Sequence, residues 1–251
     1  MMNSPGLAAV VWLLDPRDCP FVLGCEGGGT VVAVGPDDGS ASDGPSVGDR
    51  VTYYCEGSYA EYSAVPAGVA AAVPDELAMG DAVALTVQGL TAHYLTRSTV
   101  ELTAEHDIIV TAAAGGTGKL VVQMAKMAGA RVLGLVSSEH KAAVAMEHGC
   151  DETLIYRCPD GGGNVDYSAA AKEFSRTGQG VDVCYDSVGK ATAAFSLASL
   201  RPRGHCVFYG NASGAPDPIA CVSLSFASLT HSTIQRPVIH LSLLELPRVT
   251  C

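Results

Sequence analysis

Apolar positions along the chain fall into two textures. Up to about residue 85 they form short runs broken by polar, glycine-rich turns, which predicts strands. Gly29 to Gly35 reads as a strand closed by glycine, Pro36 to Pro45 as a solvated acidic turn, and Gly48 to Tyr54 as the next strand. From about residue 86, strand-like and helix-like runs alternate. Asp107 to Ala112 is a short apolar strand, and Gly116 to Gly129 has helical spacing at Leu120, Val121, Met124, Ala125 and Ala128. Arg131 to Val136 is a strand, followed by a helix over Ser138 to His148 with Ser138 as N-cap and Gly149 as its stop. Leu154 to Tyr156, Val181 to Tyr185 and His205 to Tyr209 read as further strands, with a helical stretch before each of the last two. Runs apolar on both faces in β-α-β order predict a parallel sheet covered on both sides.

Composition narrows the class. The 251 residues are 48% hydrophobic and only 16% charged, with mean hydropathy +0.25, which excludes disorder. A net charge of -11 argues against broad phosphate-backbone binding, so nucleic acid is not an expected partner. The apolar run Leu7 to Leu14 is too short to span a bilayer and no Lys or Arg precedes it, so the expectation is a cytoplasmic protein without a membrane segment. Nine cysteines, an odd number with no C-x-x-C pair, read as reduced thiols.

The strongest chemical signal is Ala112-Ala-Ala-Gly115-Gly116-Thr117-Gly118, placed between a strand and a helix. Glycines there let the backbone approach a pyrophosphate at a helix N-terminus. A tight turn without ligand is the plain alternative, but the turn opens a βαβ unit of the right length. A Walker A reading fails, because position 113 is alanine and Leu120 replaces the magnesium-binding hydroxyl. At the end of the next strand, Ser137 and Ser138, with Lys141 one helical step on, stand where an NAD site places an acid. Hydroxyls and a lysine suit a 2′-phosphate, so NADP(H) is the expected cofactor. Cys25 beside Glu26 hints at a metal ligand, yet no partnering pattern of Cys or His accompanies it, and no zinc is expected.

Several motifs occur in a specific order: Pro20 to Gly27, Gly48-Asp-Arg-Val51, Gln88 to Ala92, Ala112 to Gly118, Val183 to Gly189, Leu200 to Gly204 and Gly210 to Gly214. Together they resemble NADPH:quinone oxidoreductases, the zeta-crystallin-like, zinc-free branch of the medium-chain dehydrogenase/reductases, from about residue 20 to about 238. The resemblance implies an α/β fold: a partial GroES-like, β-rich catalytic domain over residues 1–86 and a doubly wound Rossmann domain over 87–251. It implies NADPH as cofactor, with Thr91 and Tyr94 at the nicotinamide end and Gly115, Gly116 and Thr117 at the pyrophosphate. Ser137, Ser138 and Lys141 would surround the 2′-phosphate, with Tyr156 near it or the adenine. Ser187, Val188, Tyr209, Gly210 and Asn211 would line the rest of the groove.

The implied reaction is hydride transfer from NADPH to a quinone or similar conjugated carbonyl. An enoyl or 2-alkenal reductase is the nearest alternative, and a non-catalytic NADPH-binding protein, crystallin-like or RNA-associated, is a third. Residues 1–19 and 241–251 do not match the family pattern, which implies a chain truncated at both ends. A sheet edge expected near Thr233 to Pro237 would offer a homodimer contact.

Overall fold

The computed structural model describes residues 22–36, 44–156, 165–218 and 230–233. Among these, two compact units meet in sequence between Leu90 and Thr91. The boundary expected at 86/87 falls inside one helix, α1 (Met79–Tyr94), which runs through the junction.

The first unit holds an antiparallel sheet of β1 (Glu26–Thr30), β2 (Arg50–Tyr54) and β3 (Ala70–Ala72), in that order. The first strand was expected at Gly29 to Gly35; it lies earlier. Pairing decides this, since Glu26 faces Tyr54 and Thr30 faces Arg50. Beyond the bonds linking Val31 with Gly48 and Asp49, the chain leaves the ladder and exposes Val32 and Val34. Glycine at position 28 lets α1 lie close against β1, because a Cβ there would stand 2.6 Å from Met79 Sδ and from Val83 Cγ2. Of the expected acidic turn, residues 37–43 lie outside the described residues.

The second unit is built on a six-stranded sheet. Its strands are β4 (Asp107–Thr111), β5 (Arg131–Val136), β6 (Glu152–Ile155), β7 (Val181–Asp186), β8 (Leu200–Phe208) and β9 (Thr230–Thr233). The spatial order is β6-β5-β4-β7-β8-β9 and every pair is parallel. That is the doubly wound Rossmann order, with its topological switch point between β4 and β7. The helices are α2 (Gly116–Met127), α3 (Glu139–Glu147), α4 (Ser168–Phe174) and α5 (Ala193–Ala198).

Alternation along each strand divides the core into two layers. Ile108, Val110, Val132, Val136, Val183, Tyr185 and Val207 pack with Val121, Val122 and Ala125 of α2 and Ala145 of α3. Ile109, Leu133, Leu135, Cys184, Cys206 and Phe208 pack with Tyr167, Ala171 and Phe174 around α4 and Ala193 of α5. Both faces are therefore covered, as the apolar runs require. The α/β fold, with a small β-rich unit and a Rossmann unit, is the architecture expected from the resemblance. The edge strand is Thr230–Thr233; residues 234–237 of the expected edge lie outside the described residues.

Candidate cofactor site

The C-terminal ends of β4 and β5 build one side of the site. The chain leaves β4 through Ala112, whose φ of 51° lies in the left-handed region that a β-carbon disfavours. Its carbonyl accepts the Gly115 N–H at 2.8 Å, which closes the turn. Gly118 is required by packing rather than by a ligand: a Cβ there would meet the Ala112 carbonyl oxygen at 2.3 Å. Helix α2 then starts with Gly115 as its N-cap, and no side chain caps it. First-turn N–H groups without a side-chain acceptor, at the positive end of a dipole, form an anion-binding element. Gly116 and Thr117 are the first two residues of that turn.

At the end of β5, Ser138 caps α3, its Oγ accepting the Lys141 N–H at 3.4 Å. Lys141 Nζ donates to Ser137 Oγ at 3.1 Å, so the ammonium is held at the mouth of the β5–α3 turn. A pocket of about 120 Å³ opens here, lined by Ala112, Ala114, Gly115, Val136, Ser137, Lys141 and Tyr156. Four sequence-predicted residues (Gly115, Ser137, Lys141 and Tyr156) thus come together. The pocket combines an ammonium, a hydroxyl and a buried aromatic face, which is the donor set a phosphorylated adenosine needs.

The β7 and β8 exits form the other side. Gly210 comes so close to Ser187 that a Cβ would stand 2.8 Å from the Ser187 carbonyl oxygen. Ala212 N–H donates to Ser187 O at 3.2 Å and Ser213 N–H to Val188 O at 2.8 Å, joining the two loops. Asn211 is exposed, whereas Val188 is only 7% exposed, its N–H held by Asp186 Oδ1 and its carbonyl by Ser213. Thr91, 8% exposed, and half-buried Tyr94 lie on the last turn of α1. Tyr94 and Tyr209 pack on the same core layer. Burial pushes the Tyr209 hydroxyl up to about 12, with nearby Ser187 opposing the rise and Asp186, Cys184 and Tyr94 adding to it. Thr91 and Tyr94 are not among the residues lining the pocket.

Sequence reasoning passed over Thr111 and Asp186, which hold the β4 and β7 exits together. The available signal was an acid closing an otherwise apolar strand, Val183 to Asp186. Among the described residues, no group of three His, Cys, Asp or Glu side chains is placed to hold a metal ion.

Comparison with known proteins adds independent findings. Residues 116–239 match the family described as Zinc-binding dehydrogenase, and residues 8–75 match the Alcohol dehydrogenase GroES-like domain. The second match starts at residue 8, so part of the stretch 1–19, expected to lie outside the likeness, falls within it. The chain is 39% identical over 207 residues to the 2-haloacrylate reductase of a Burkholderia species, covering 81% of this chain and 59% of that protein. It superimposes on the Escherichia coli quinone oxidoreductase solved with NADPH at TM-score 0.79 and 34% identity, covering 88% of this chain and 66% of that one. A solved 2-haloacrylate reductase gives TM-score 0.75 at 36% identity, covering 88% of this chain and 69% of that one. The chain thus spans about 59% of the length of the first of these relatives.

Proposed function

Because the chain belongs to the medium-chain dehydrogenase/reductase superfamily, in its quinone oxidoreductase branch, we propose that it binds NADPH and reduces a quinone or similar conjugated carbonyl. The observation that carries the reading is the pocket in which Lys141 Nζ bonds Ser137 Oγ beside the uncapped start of α2. Lys141 and Ser137 hold the 2′-phosphate, Ser138 turns α3 so that Lys141 reaches it, and Tyr156 covers the adenosine. The N–H groups of Gly116 and Thr117 hold the pyrophosphate. Ser187, Val188, Tyr209, Gly210 and Asn211 bound the far end of the groove, with Thr91 and Tyr94 on the nicotinamide side. When bound, the cofactor supplies a hydride. A reduced quinone takes its proton from water, so no strongly basic side chain is required of the chain.

A second reading, reduction of the activated C=C of a 2-alkenoyl compound, is favoured by the 39% identity to a 2-haloacrylate reductase. Following NADPH oxidation at 340 nm with a quinone, with a 2-alkenal and with neither tests both readings. Turnover of the quinone supports the first, turnover of the alkenal alone supports the second, and turnover of neither overturns both.

A further inference from the structure

Asp186 closes β7 with no exposed surface, and its carboxylate is the hub of a polar network in the core. Oδ1 accepts the N–H groups of Val188 (2.8 Å) and Gly189 (3.0 Å). The Thr192 hydroxyl lies within reach of both oxygens, at 3.0 and 2.8 Å, and Ser196 Oγ donates to Oδ2 at 2.6 Å. Thr111, the last residue of β4, donates its hydroxyl to Oδ1 at 3.5 Å. The same Thr111 oxygen accepts the Ser187 N–H at 2.9 Å. Tyr167 backs the network through a 2.7 Å bond to Ser196 Oγ.

A buried carboxylate needs several good partners simply to be tolerated, and an apolar side chain would fill the same space at less cost. What the carboxylate adds is geometry. It gathers the backbone of residues 187–189 and ties it, through Thr111, to the end of β4. Those two strand ends flank the switch point, where open α/β sheets of this order take their ligand. The Ser137 and Lys141 pocket hangs from β5 and α3, on the opposite side of β4.

The geometry points to Asp186 as a positioning residue that, acting with Thr111, holds the 187–189 backbone in register with the glycine turn and so places the nicotinamide half of the cofactor. The inference rests on the NADPH reading above. Its consequence is one-sided: loss of the clamp loosens the ligand beyond the pyrophosphate and leaves the adenosine 2′-phosphate end in place.

Calorimetric titration of the wild type, Asp186→Asn, Thr111→Val and Thr111→Ser with NADPH and with 2′,5′-ADP separates the two ends, with a thermal melt of each variant alongside. Asp186→Asn is expected to weaken NADPH by about tenfold or more and 2′,5′-ADP by less than about twofold. Thr111→Val shifts NADPH in the same direction by a smaller factor, and Thr111→Ser, which keeps the hydroxyl, restores it. Equal losses for both ligands, or wild-type NADPH affinity in a folded Asp186→Asn, overturn the positioning role. If Asp186→Asn does not fold, the threonine pair decides, and equal NADPH affinities for the valine and serine variants overturn it. A wild type that binds neither ligand overturns the NADPH reading itself; a wild type that binds both, with unaffected variants, overturns this inference alone.

Discussion

Lys141 is exposed, yet its ammonium is held by Ser137 Oγ at 3.1 Å and its own N–H is taken by Ser138. A cation held by one neighbouring hydroxyl, on a backbone that a second hydroxyl caps, is a ready partner for a 2′-phosphate and has nothing to gain from a 2′-hydroxyl. Lys141→Ala is therefore expected to weaken NADPH by about 1.5–3 kcal/mol, on the order of tenfold or more, and to leave NADH nearly unchanged. Parallel titrations check this, and equal losses for the two cofactors would remove Lys141 from the phosphate site. At this scale Ser137, Ser138 and Lys141 were legible because a missing acid and a helical step are local facts. Asp186 was not, since its partners Thr111, Thr192 and Ser196 are gathered only when β4, β7 and α5 pack. The side-chain burial of Thr91 and Val188 was equally unreadable from their neighbours in sequence.

At the scale of elements, the strand–turn–helix junction is the tightest joint in the site. The Gly118 backbone sits against the Ala112 carbonyl, so the missing β-carbon allows α2 to start where it does. Gly118→Ala is expected to cost about 1–3 kcal/mol and to weaken NADPH, because α2 must withdraw from the turn. Denaturant unfolding measures the first effect, and an unchanged midpoint would show that the turn gives way freely. Most elements of the Rossmann unit were readable to within a few residues: Arg131–Val136 is the strand the sequence predicts, and α3 is capped by Ser138 as its sequence predicts, whereas β8 begins at Leu200, well before the expected His205. The first strand was misplaced because Val32 to Val34 look like a strand but pair with no strand among the described residues, and pairing decides where a strand stops.

For the whole molecule, pH tests the packing. Burial pushes the Cys150 thiol up from 9.0 to about 12, Asp151 adding to the rise and Lys126 opposing it. Tyr209 is held at about 12 against an ordinary 10.0 by burial, and burial also raises Tyr185. An unfolded chain releases these protons first, so the native state binds more of them through this range and stability falls as pH rises. Melting temperature is expected to lose no stability to these groups below about pH 8 and to drop progressively from about 9 towards 12. A melting temperature flat to pH 11 would contradict the burial of these groups. Since no set of three described side chains is placed to ligate a metal, EDTA is expected to leave NADPH affinity and melting temperature unchanged. One zinc per chain surviving dialysis would overturn this, with Cys25 the first residue to replace.

The sequence by itself determined what short-range chemistry determines. Apolar runs on both strand faces required a covered parallel sheet, the glycine turn required a close helix start, and Ser137, Ser138 and Lys141 marked a cluster of two hydroxyls and an ammonium at the end of β5. Tertiary structure decided what depends on contacts between distant segments. Strand order put β7 beside β4 and so created the switch point, pairing ended β1 at Thr30, and packing brought Asp186 under hydroxyls from β4 and from α5 with its N-cap. Local pattern carries periodicity and turn chemistry; which buried polar group meets which is set only when the layers close.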